Sequence, residues 1–278
     1  MKETRAEYLA VDKLRPFDEH PFKVVDNEEM DQLVWSILTQ GLLTPLVVRP
    51  LDNGEYEVIS GHRRLHACKK AGIETVPALI YAIDRDAAAI ALVDSNLQRE
   101  HILPSEKAFA YKLKLEAMNH QGRTSGQVGQ KWTRDEIAEG ESGRQVQRYI
   151  RLTNLIPGIL QKVDEGRIAL TPAVELSYLT DAEQEDLLET MESEDCTPSL
   201  SQAIQMKALS QSGQLDMDTI FHIMTQPKAN QQEKISFKVS ELRDFFPRHY
   251  TAAQMMQEIL LAVKERQQRL ARQRDHSR

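Results

Sequence analysis

The pattern of apolar residues changes near residue 84, and this change divides the chain into two kinds of structure. Before it, short β-branched runs such as LVVRP (46–50) and YEVIS (56–60) flank a strong turn signal at Asp52-Asn53-Gly54. After it, apolar residues recur at helical spacing almost to the end. We therefore expect an α+β domain followed by helical domains.

Helical segments are expected between the strands of the first domain. Residues 27–39 have apolar side chains at three- and four-residue spacing, with Asp26 as the predicted N-cap and Gly41 after the end. A second helix is predicted over residues 62–71. Two further strands are predicted over residues 8–14 and 76–83.

Charge is distributed unevenly along the 278 residues, so the net charge of −7 does not exclude DNA. Acidic residues concentrate in 181–195, whereas basic residues concentrate in 63–70, in 144–151 and after 263. No apolar run is long enough to span a bilayer, and the charged N-terminus does not resemble a secretory signal. We expect a cytoplasmic protein that does not contact membranes.

Ser60-Gly61-His62-Arg63-Arg64 is the first candidate for a chemical site. A predicted strand ends before it and a predicted helix begins within it. Free amides at a helix N-terminus, together with guanidinium groups, bind anions. The alternative is the basic start of a surface helix. Neither a P-loop nor a Rossmann glycine motif is present.

The second candidate is Ser95-Asn96-Leu97-Gln98-Arg99-Glu100, at the end of a predicted helix. The side-chain oxygen of Asn96 is a suitable ligand for a hard cation, and Arg99 is suited to a phosphate. A solvated helix end explains the same residues.

The third candidate is a helix-turn-helix pattern. Thr133 and Glu136 form a capping box, and a glycine turn over 140–143 leads into a basic helix. Arginine and glutamine side chains read base edges in the major groove, and arginine also contacts phosphates. The candidate DNA-contacting residues are Ser142, Arg144, Gln145, Gln147, Arg148 and Arg151. A helical hairpin with an exposed basic face is the alternative.

The order of several motifs gives a specific resemblance. HPFKV, TQGLLTPLVVRP, YEVISGHRRLHACKKAG and SNLQREHILPSEKAFAY precede the helix-turn-helix pattern. Over residues 8–180 this order resembles the ParB/Spo0J/Noc family. The stretch ESGRQVQRYIRLTNLIP is similar to that of ParB-like proteins on mobile elements.

The resemblance implies a CTP-dependent clamp that loads at a palindromic site on double-stranded DNA, slides and reopens on slow CTP hydrolysis. Asn96 would help to hold Mg²⁺, with Arg99 near the phosphates. The residues implied to bind the nucleotide are otherwise Gly41, Leu42, Thr44, Pro45, Ser60, Gly61, His62, Arg63 and Arg64.

Two departures from the family concern catalysis and the nucleotide site. Ser95 replaces the usual glutamate, so Asp94 and Asn96 become the candidate catalytic residues. His20 stands where the family often has glutamine.

The resemblance also implies an organisation. We expect a ParB/sulfiredoxin-like α+β domain that binds CTP (1–100) and an all-α helix-turn-helix domain (101–192). A linker (193–233) and a strand-helix dimerisation region (234–278) follow. The expected protein is a nucleoid-associated homodimer that partitions a chromosome, plasmid or mobile element, usually with a ParA-type ATPase.

Three other functions are less consistent with these residues. A transcriptional regulator or nucleoid-occlusion factor without a ParA partner is the main alternative, because the N-terminus is short for a partner-stimulating segment. A sulfiredoxin-like enzyme is disfavoured, since Gly61 stands where the catalytic cysteine would be and Cys68 lies further along the helix. A nuclease is also disfavoured, because the sequence contains no clustered carboxylate site. Cys68 and Cys196 lack disulfide-framework or zinc-site spacing.

Overall fold

The computed structural model describes residues 4–99, 101–124, 141–226, 239–247 and 249–275. The chain forms two compact units, Met1–Gln226 and Pro227–Arg278. The first unit holds the α+β domain and a helical region, as the sequence predicts. None of the described helices is long and apolar enough to cross a membrane.

A five-stranded mixed sheet forms the centre of the α+β domain, in the order β1-β5-β3-β4-β2. Its strands are β1 (Thr4–Ala10), β2 (Leu14–Pro16), β3 (Leu46–Pro50), β4 (Tyr56–Ser60) and β5 (Thr75–Tyr81). β5 is antiparallel to β1 and parallel to β3, and β4 is antiparallel to β3 and parallel to β2.

β1 and β2 are the opposite edges of the sheet, yet a single 3-10 turn, Val11–Lys13, joins them. Such a short connection requires a strongly curved sheet. An extended link from Ala10 to Leu14 reaches about 14 Å, whereas crossing four strand spacings of a flat sheet would need about 19 Å. The prediction of a single strand over residues 8–14 is therefore wrong, because β1 ends at Ala10 and this turn follows it. Val11 leaves the β1 ladder, and its amide donates to Glu74 O (2.9 Å).

Three helices, α1 (Glu28–Gln40), α2 (His62–Lys70) and α3 (Arg85–Leu97), complete the domain. The N-cap of α1 is Asn27, not Asp26, because the Asn27 side chain accepts from the Met30 amide (3.0 Å). Asp26 instead accepts from His66 and Lys70 of α2. One apolar core lies between the sheet and the helices α1 and α2 and includes Met30, Leu46 and Val58, all fully buried. The buried side chains of α3 belong to a second core, shared with β4 and with the first helix of the helical region.

Seven helices follow in the described part of the first unit. They are α4 (Pro104–Thr124), α5 (Gly143–Arg151), α6 (Pro157–Asp164), α7 (Leu170–Leu176), α8 (Asp181–Ser193), α9 (Leu200–Gln211) and α10 (Met217–Thr225). Leu152, Ile159, Leu187, Met206 and Ile220 are fully buried in their shared core. Much of the predicted linker of residues 193–233 is therefore helical and packed. The capping box of Ser199 and Gln202 begins α9 inside it.

Some predicted elements lie outside the described residues. These are the helix over 134–138, the capping box of Thr133 and Glu136, and residues 234–238 of the predicted C-terminal strand. In the second unit, Val239–Leu242 is a short helix, α11, so the last two residues predicted for that strand are helical. The predicted long helix is present as α12 (Ala252–Asp275).

The start of α4 depends on a carboxylate from α6. The helix begins at Pro104, and Ser105 donates its amide (2.9 Å) and hydroxyl (2.6 Å) to Asp164. Lys23, before α1, lies 3.6 Å from the same carboxylate. Asp164 thus connects the α+β domain to two helices of the helical region.

Replacing Asp164 with alanine should destabilise the first unit. The Asp164 side chain is 9% exposed, so its loss leaves the Ser105 amide and hydroxyl without their acceptor. We expect the free energy of unfolding to fall by about 1–3 kcal/mol in urea titrations. Glu165→Ala, the exposed neighbour, should change it by less than about 0.5 kcal/mol. Equal effects of both variants would contradict the role of Asp164.

Candidate functional site

The turn between β4 and α2 can form only with glycine at position 61. Gly61 has φ +104°, and a Cβ there would lie 2.6 Å from Leu46 Cδ2 and 3.0 Å from Arg64 Nη2. No side chain caps α2, which begins directly at His62. The first amides of α2 and the positive end of its dipole are therefore available to an anion.

Arg64 connects this turn to the segment after α1. Its Nη1 donates to Thr44 O (2.6 Å) and Pro45 O (2.8 Å), and its partial burial lowers its pKa. Gly41 ends α1 with φ +74°, and Leu42 packs against the sheet core. The structure thus brings residues 41–45 together with residues 60–64, which the sequence analysis placed in one site.

Arg99 links the end of α3 to the same region. Burial and the neighbouring charge of Arg63 lower the pKa of Arg99, although Glu106 opposes this shift. The Arg99 guanidinium lies 5.7 Å from the Phe22 ring centroid. Arg63 lies 3.1 Å from Glu29 in an exposed pair. Because exposed pairs contribute little, Arg63 can exchange this partner for a phosphate at small cost.

Two histidine rings lie against each other beside this cluster. The centroids of His20 and His62 are 3.8 Å apart. Burial, followed by the charge of His20, lowers the pKa of His62 to about 3. Burial is also the main cause that lowers the pKa of His20. Both rings are therefore neutral at physiological pH, and Arg63 and Arg99 carry the positive charge of the site.

A cavity of about 190 Å³ lies along one face of α2. Its walls are Pro16, His20, Val24, His62, Leu65, His66 and Lys69. The sequence connects His20 with the site only through the family resemblance, and the contribution of α2 residues beyond Arg64 was not predicted. Their helical spacing is the signal that would have placed four residues on one face of α2: His62, Leu65, His66 and Lys69.

Asn96 and Asp94 lie on different faces of α3. Asn96 is 5% exposed, and its Nδ2 donates to Leu92 O (2.8 Å), which leaves its side-chain oxygen for other ligands. Asp94 forms an ion pair with Lys114 of α4. Ser95 donates to Leu92 O within its own helix (3.0 Å). The predicted catalytic pair requires Asp94 and Asn96 to lie close together. The structure does not bring them together.

The described residues offer no ready-made cage of protein ligands for a metal, because no group of three or more His, Cys, Asp or Glu side chains lies close enough among them. The donor type of Asn96 suits magnesium, which is usually bound by few protein oxygens together with phosphates and water. The residues present fit a cation that arrives with a phosphate ligand.

The candidate DNA-contacting residues lie on α5. Ser142 is the N-cap of α5 and accepts from the Gln145 amide (3.3 Å), and Arg144 is exposed. Gln147 is half-buried. Arg148 donates to Gln145 (3.2 Å) and to Thr171 of α7 (2.7 Å).

Arg151, at the end of α5, has a structural environment. It donates to Ser177 O (2.8 Å) and Ser177 Oγ (3.2 Å), and its guanidinium lies 3.9 Å from the Tyr178 ring centroid. These contacts hold α5 against α7. Arg151 is therefore a positioning residue for α5, unlike the exposed Arg144.

A polar cluster missed by the sequence analysis positions the start of α5. Glu141 accepts from Tyr111 (3.0 Å) and pairs with Lys107, and both partners belong to α4. Lys107 also lies 4.8 Å from the Tyr149 ring centroid of α5. The helical spacing of Lys107 and Tyr111 is visible in the sequence, but it does not reveal Glu141 as their shared partner.

Comparisons with known proteins identify the relatives of this chain. The ParB N-terminal domain model matches residues 1–97. The probable chromosome-partitioning protein ParB of Vibrio cholerae serotype O1 is 30% identical over 238 residues, which cover 84% of this chain and 77% of that protein. The chain belongs to the ParB family.

Other ParB-family proteins are matched over different lengths. A nucleoid occlusion protein of a Geobacillus species is 38% identical over 112 residues, 40% of each chain, so this chain spans less than half of it. The truncated ParB of Caulobacter crescentus complexed to parS is 23% identical, with 74% of this chain and 99% of that chain covered and a TM-score of 0.43. Its complex with CTP-γ-S is 24% identical, with 68% and 99% covered and a TM-score of 0.32.

The buried His62 should make stability depend on pH. Its folded pKa is about 3 and its ordinary value is 6.5, so between these values the unfolded chain binds a proton that the folded chain excludes. The free energy of unfolding should therefore fall by about 2 kcal/mol from about pH 7.5 to about pH 5. Urea titrations at both pH values measure this loss.

Two matched variants test whether His62 causes this loss of stability. His62→Gln keeps an acceptor for the Phe17 amide but does not titrate, so it should lose clearly less stability over the same pH interval. His222→Gln, at an exposed position on α10, should lose as much as the unsubstituted protein. If His62→Gln loses the same amount, His62 does not cause the pH dependence.

Proposed function

We propose that this chain is a CTP- and magnesium-binding, site-specific DNA-binding clamp that acts as a homodimer. The observation that carries the proposal is the convergence of the open N-terminus of α2 with Arg63 and Arg99. Helix amides and guanidinium groups together bind phosphates through charge-assisted hydrogen bonds. A triphosphate supplies enough negative charge to occupy both arginines and the helix end.

The nucleotide is proposed from membership of the ParB family and from the cavity beside the cationic cluster. Residues 41–45, held by Arg64, and the turn at residues 60–64 would surround the nucleotide. Asn96 would contribute its side-chain oxygen to Mg²⁺ bound with the phosphates. When bound, the cation neutralises phosphate charge.

Hydrolysis of the nucleotide should be slow. Ser95 replaces the family's usual glutamate, and Asp94 pairs with Lys114 on another face of α3. Asp94 would have to break this pair to approach the phosphates. We therefore propose that CTP acts mainly as a bound effector in this chain.

Double-stranded DNA is proposed as the macromolecular ligand. The exposed Arg144 lies in the first turn of α5, two residues after the N-cap Ser142, where a recognition helix places its base-contacting residues. Gln145, Gln147 and Arg148 would follow along the groove, while Arg151 holds α5 against α7. A palindromic site would match a homodimer, because two-fold symmetry in the protein requires it in the DNA.

The biological role divides into two closely related options. Partitioning of a chromosome, plasmid or mobile element with a ParA-type ATPase is the first. A nucleoid-occlusion or regulatory role without such a partner is the second. The names of the relatives include both chromosome partitioning and nucleoid occlusion. Both roles place the protein on the nucleoid and use the same nucleotide and DNA sites.

Calorimetric titration with CTP, ATP, GTP and UTP in the presence of magnesium tests the nucleotide site. We expect CTP to bind most tightly, and Arg63→Ala to weaken it by about ten- to a hundredfold through loss of charge-assisted hydrogen bonds. Arg15→Ala is the control, because Arg15 is also partly exposed and pairs with Glu55 at an edge strand of the sheet. Absence of binding by any nucleotide, even with DNA added, would refute the proposal.

Selection from random duplexes, followed by fluorescence anisotropy on the enriched sequence, tests the DNA site. Arg144→Ala should weaken binding by about ten- to a hundredfold, the cost of a lost base or phosphate contact. Arg167→Ala is the control, since Arg167 is equally basic, lies after α6 and pairs with Asp195. If no sequence is enriched, or if both variants bind equally, α5 is not the recognition helix.

A further inference from the structure

Two side chains fix the plane of the Arg148 guanidinium on α5. Its Nη1 donates to Gln145 Oε1 (3.2 Å), one turn earlier on α5. Its Nη2 donates to Thr171 Oγ1 (2.7 Å), in the first turn of α7. Because the group is planar and is held at both terminal nitrogens, it cannot rotate freely. Thr171 thus restrains a side chain of the helix proposed to read DNA.

The surroundings of Arg148 differ from those of Arg151, which fastens α5 to α7. Arg151 donates to Ser177, which is 3% exposed, and stacks on Tyr178. The bond between Arg148 and Thr171 is exposed, and so is Thr171 itself. Removal of an exposed polar contact usually changes stability little. This bond therefore orients Arg148 more than it holds the two helices together.

Arg148 keeps donors for a further ligand. A guanidinium carries two hydrogens on each terminal nitrogen. The bonds to Gln145 and Thr171 use one hydrogen of Nη1 and one of Nη2, and neither nitrogen has a further partner among the described residues. Each therefore retains one N–H in the plane that the two bonds fix. A pair of such donors binds two acceptors side by side.

Arg148 lies on the open face of α5. Four residues separate it from Arg144, so the two share one side of the helix. Arg144 and the N-cap Ser142 are exposed, whereas the buried residues Gly143 and Val146 lie on other sides of α5. A duplex that meets Arg144 therefore also comes within reach of Arg148.

A pair of coplanar donors distinguishes the bases in the major groove. Guanine presents two neighbouring acceptors, O6 and N7, whereas adenine presents N7 beside an amino donor. Thymine presents one acceptor beside a methyl group, and cytosine presents an amino donor. A phosphate also accepts two bonds, but it does so from many directions. A plane fixed before binding favours the flat base edge.

We propose that Arg148 reads a guanine in the major groove of the DNA site and that Thr171 is the positioning residue that presents its guanidinium. The inference rests on the proposed binding of DNA through α5. Loss of the Thr171 hydroxyl would release Nη2 and let the guanidinium rotate. Discrimination at one base pair would then fall, while binding to unrelated duplexes would not.

Anisotropy titrations of the whole chain on the duplex enriched by selection test the role of Arg148. Each guanine is replaced in turn by 7-deazaguanine, which lacks the N7 acceptor, and each G·C pair by A·T. At one position A·T should weaken binding by about ten- to a hundredfold, and 7-deazaguanine by about three- to tenfold. Arg148→Ala should bind the three duplexes equally, within about twofold.

A conservative series tests the role of Thr171. Thr171→Val keeps the shape but removes the hydroxyl, so it should reduce the A·T penalty at that position to about threefold or less and leave unrelated duplexes unaffected. Thr171→Ser restores the hydroxyl and should retain most of the penalty. Thr225→Val is the control, because the exposed Thr225 donates within its own helix, α10 (2.9 Å).

The outcomes separate this inference from the proposed function. If no sequence is enriched, the proposed DNA site itself fails. If a sequence is enriched but no guanine depends on Arg148, the inference is wrong and DNA binding stands. If Arg148→Ala weakens all duplexes equally and lowers the salt slope by about one, Arg148 contacts a phosphate and the inference is also wrong.

Two further results bear on the positioning role and on folding. If Thr171→Val keeps the full A·T penalty, Thr171 does not position Arg148. The melting temperature shows whether each variant folds. Should Arg148→Ala not fold, Arg148→Lys takes its place, because lysine keeps the charge but cannot bind two acceptors in one plane. A full A·T penalty in Arg148→Lys would contradict the reading of guanine.

Discussion

The candidate nucleotide site depends on the left-handed backbone at Gly61. Its φ of +104° lets the chain leave β4 and start α2 without a side chain between the turn and Leu46. The space left by the missing Cβ is bordered by Arg64, whose guanidinium binds Thr44 O and Pro45 O. One glycine thus sets the direction of α2 and allows the neighbouring segment to close beside the helix N-terminus.

Polar contacts connect this site to the helix proposed to read DNA. Asn96 and Asp94 leave α3 on different faces, and Lys114 binds Asp94 to α4. One turn earlier in α4, Tyr111 donates to Glu141, which directly precedes the N-cap of α5. A single long helix therefore contacts both α3, which ends beside the proposed nucleotide site, and the start of the helix proposed to read DNA.

Sequence reasoning predicted the order of strands and helices in the α+β domain and proposed site residues from contiguous motifs, because both depend on local signals. The glycine after β4 and the arginines beside it are contiguous, and the helical face of α5 follows from spacing. It failed where partners are distant in sequence. Asn27 caps α1, whereas the predicted cap Asp26 is engaged by α2, and Asp164 of α6 accepts the amide of Ser105 at the start of α4. The contact between the His20 and His62 rings also joins positions that composition and periodicity do not connect.

A crystal structure of this chain grown with magnesium and a slowly hydrolysed CTP analogue tests the central claim most directly. The account predicts phosphate oxygens on the first amides of α2 and on Arg63 and Arg99. A nucleotide bound elsewhere, or in this site with the base and phosphates exchanged, would contradict it.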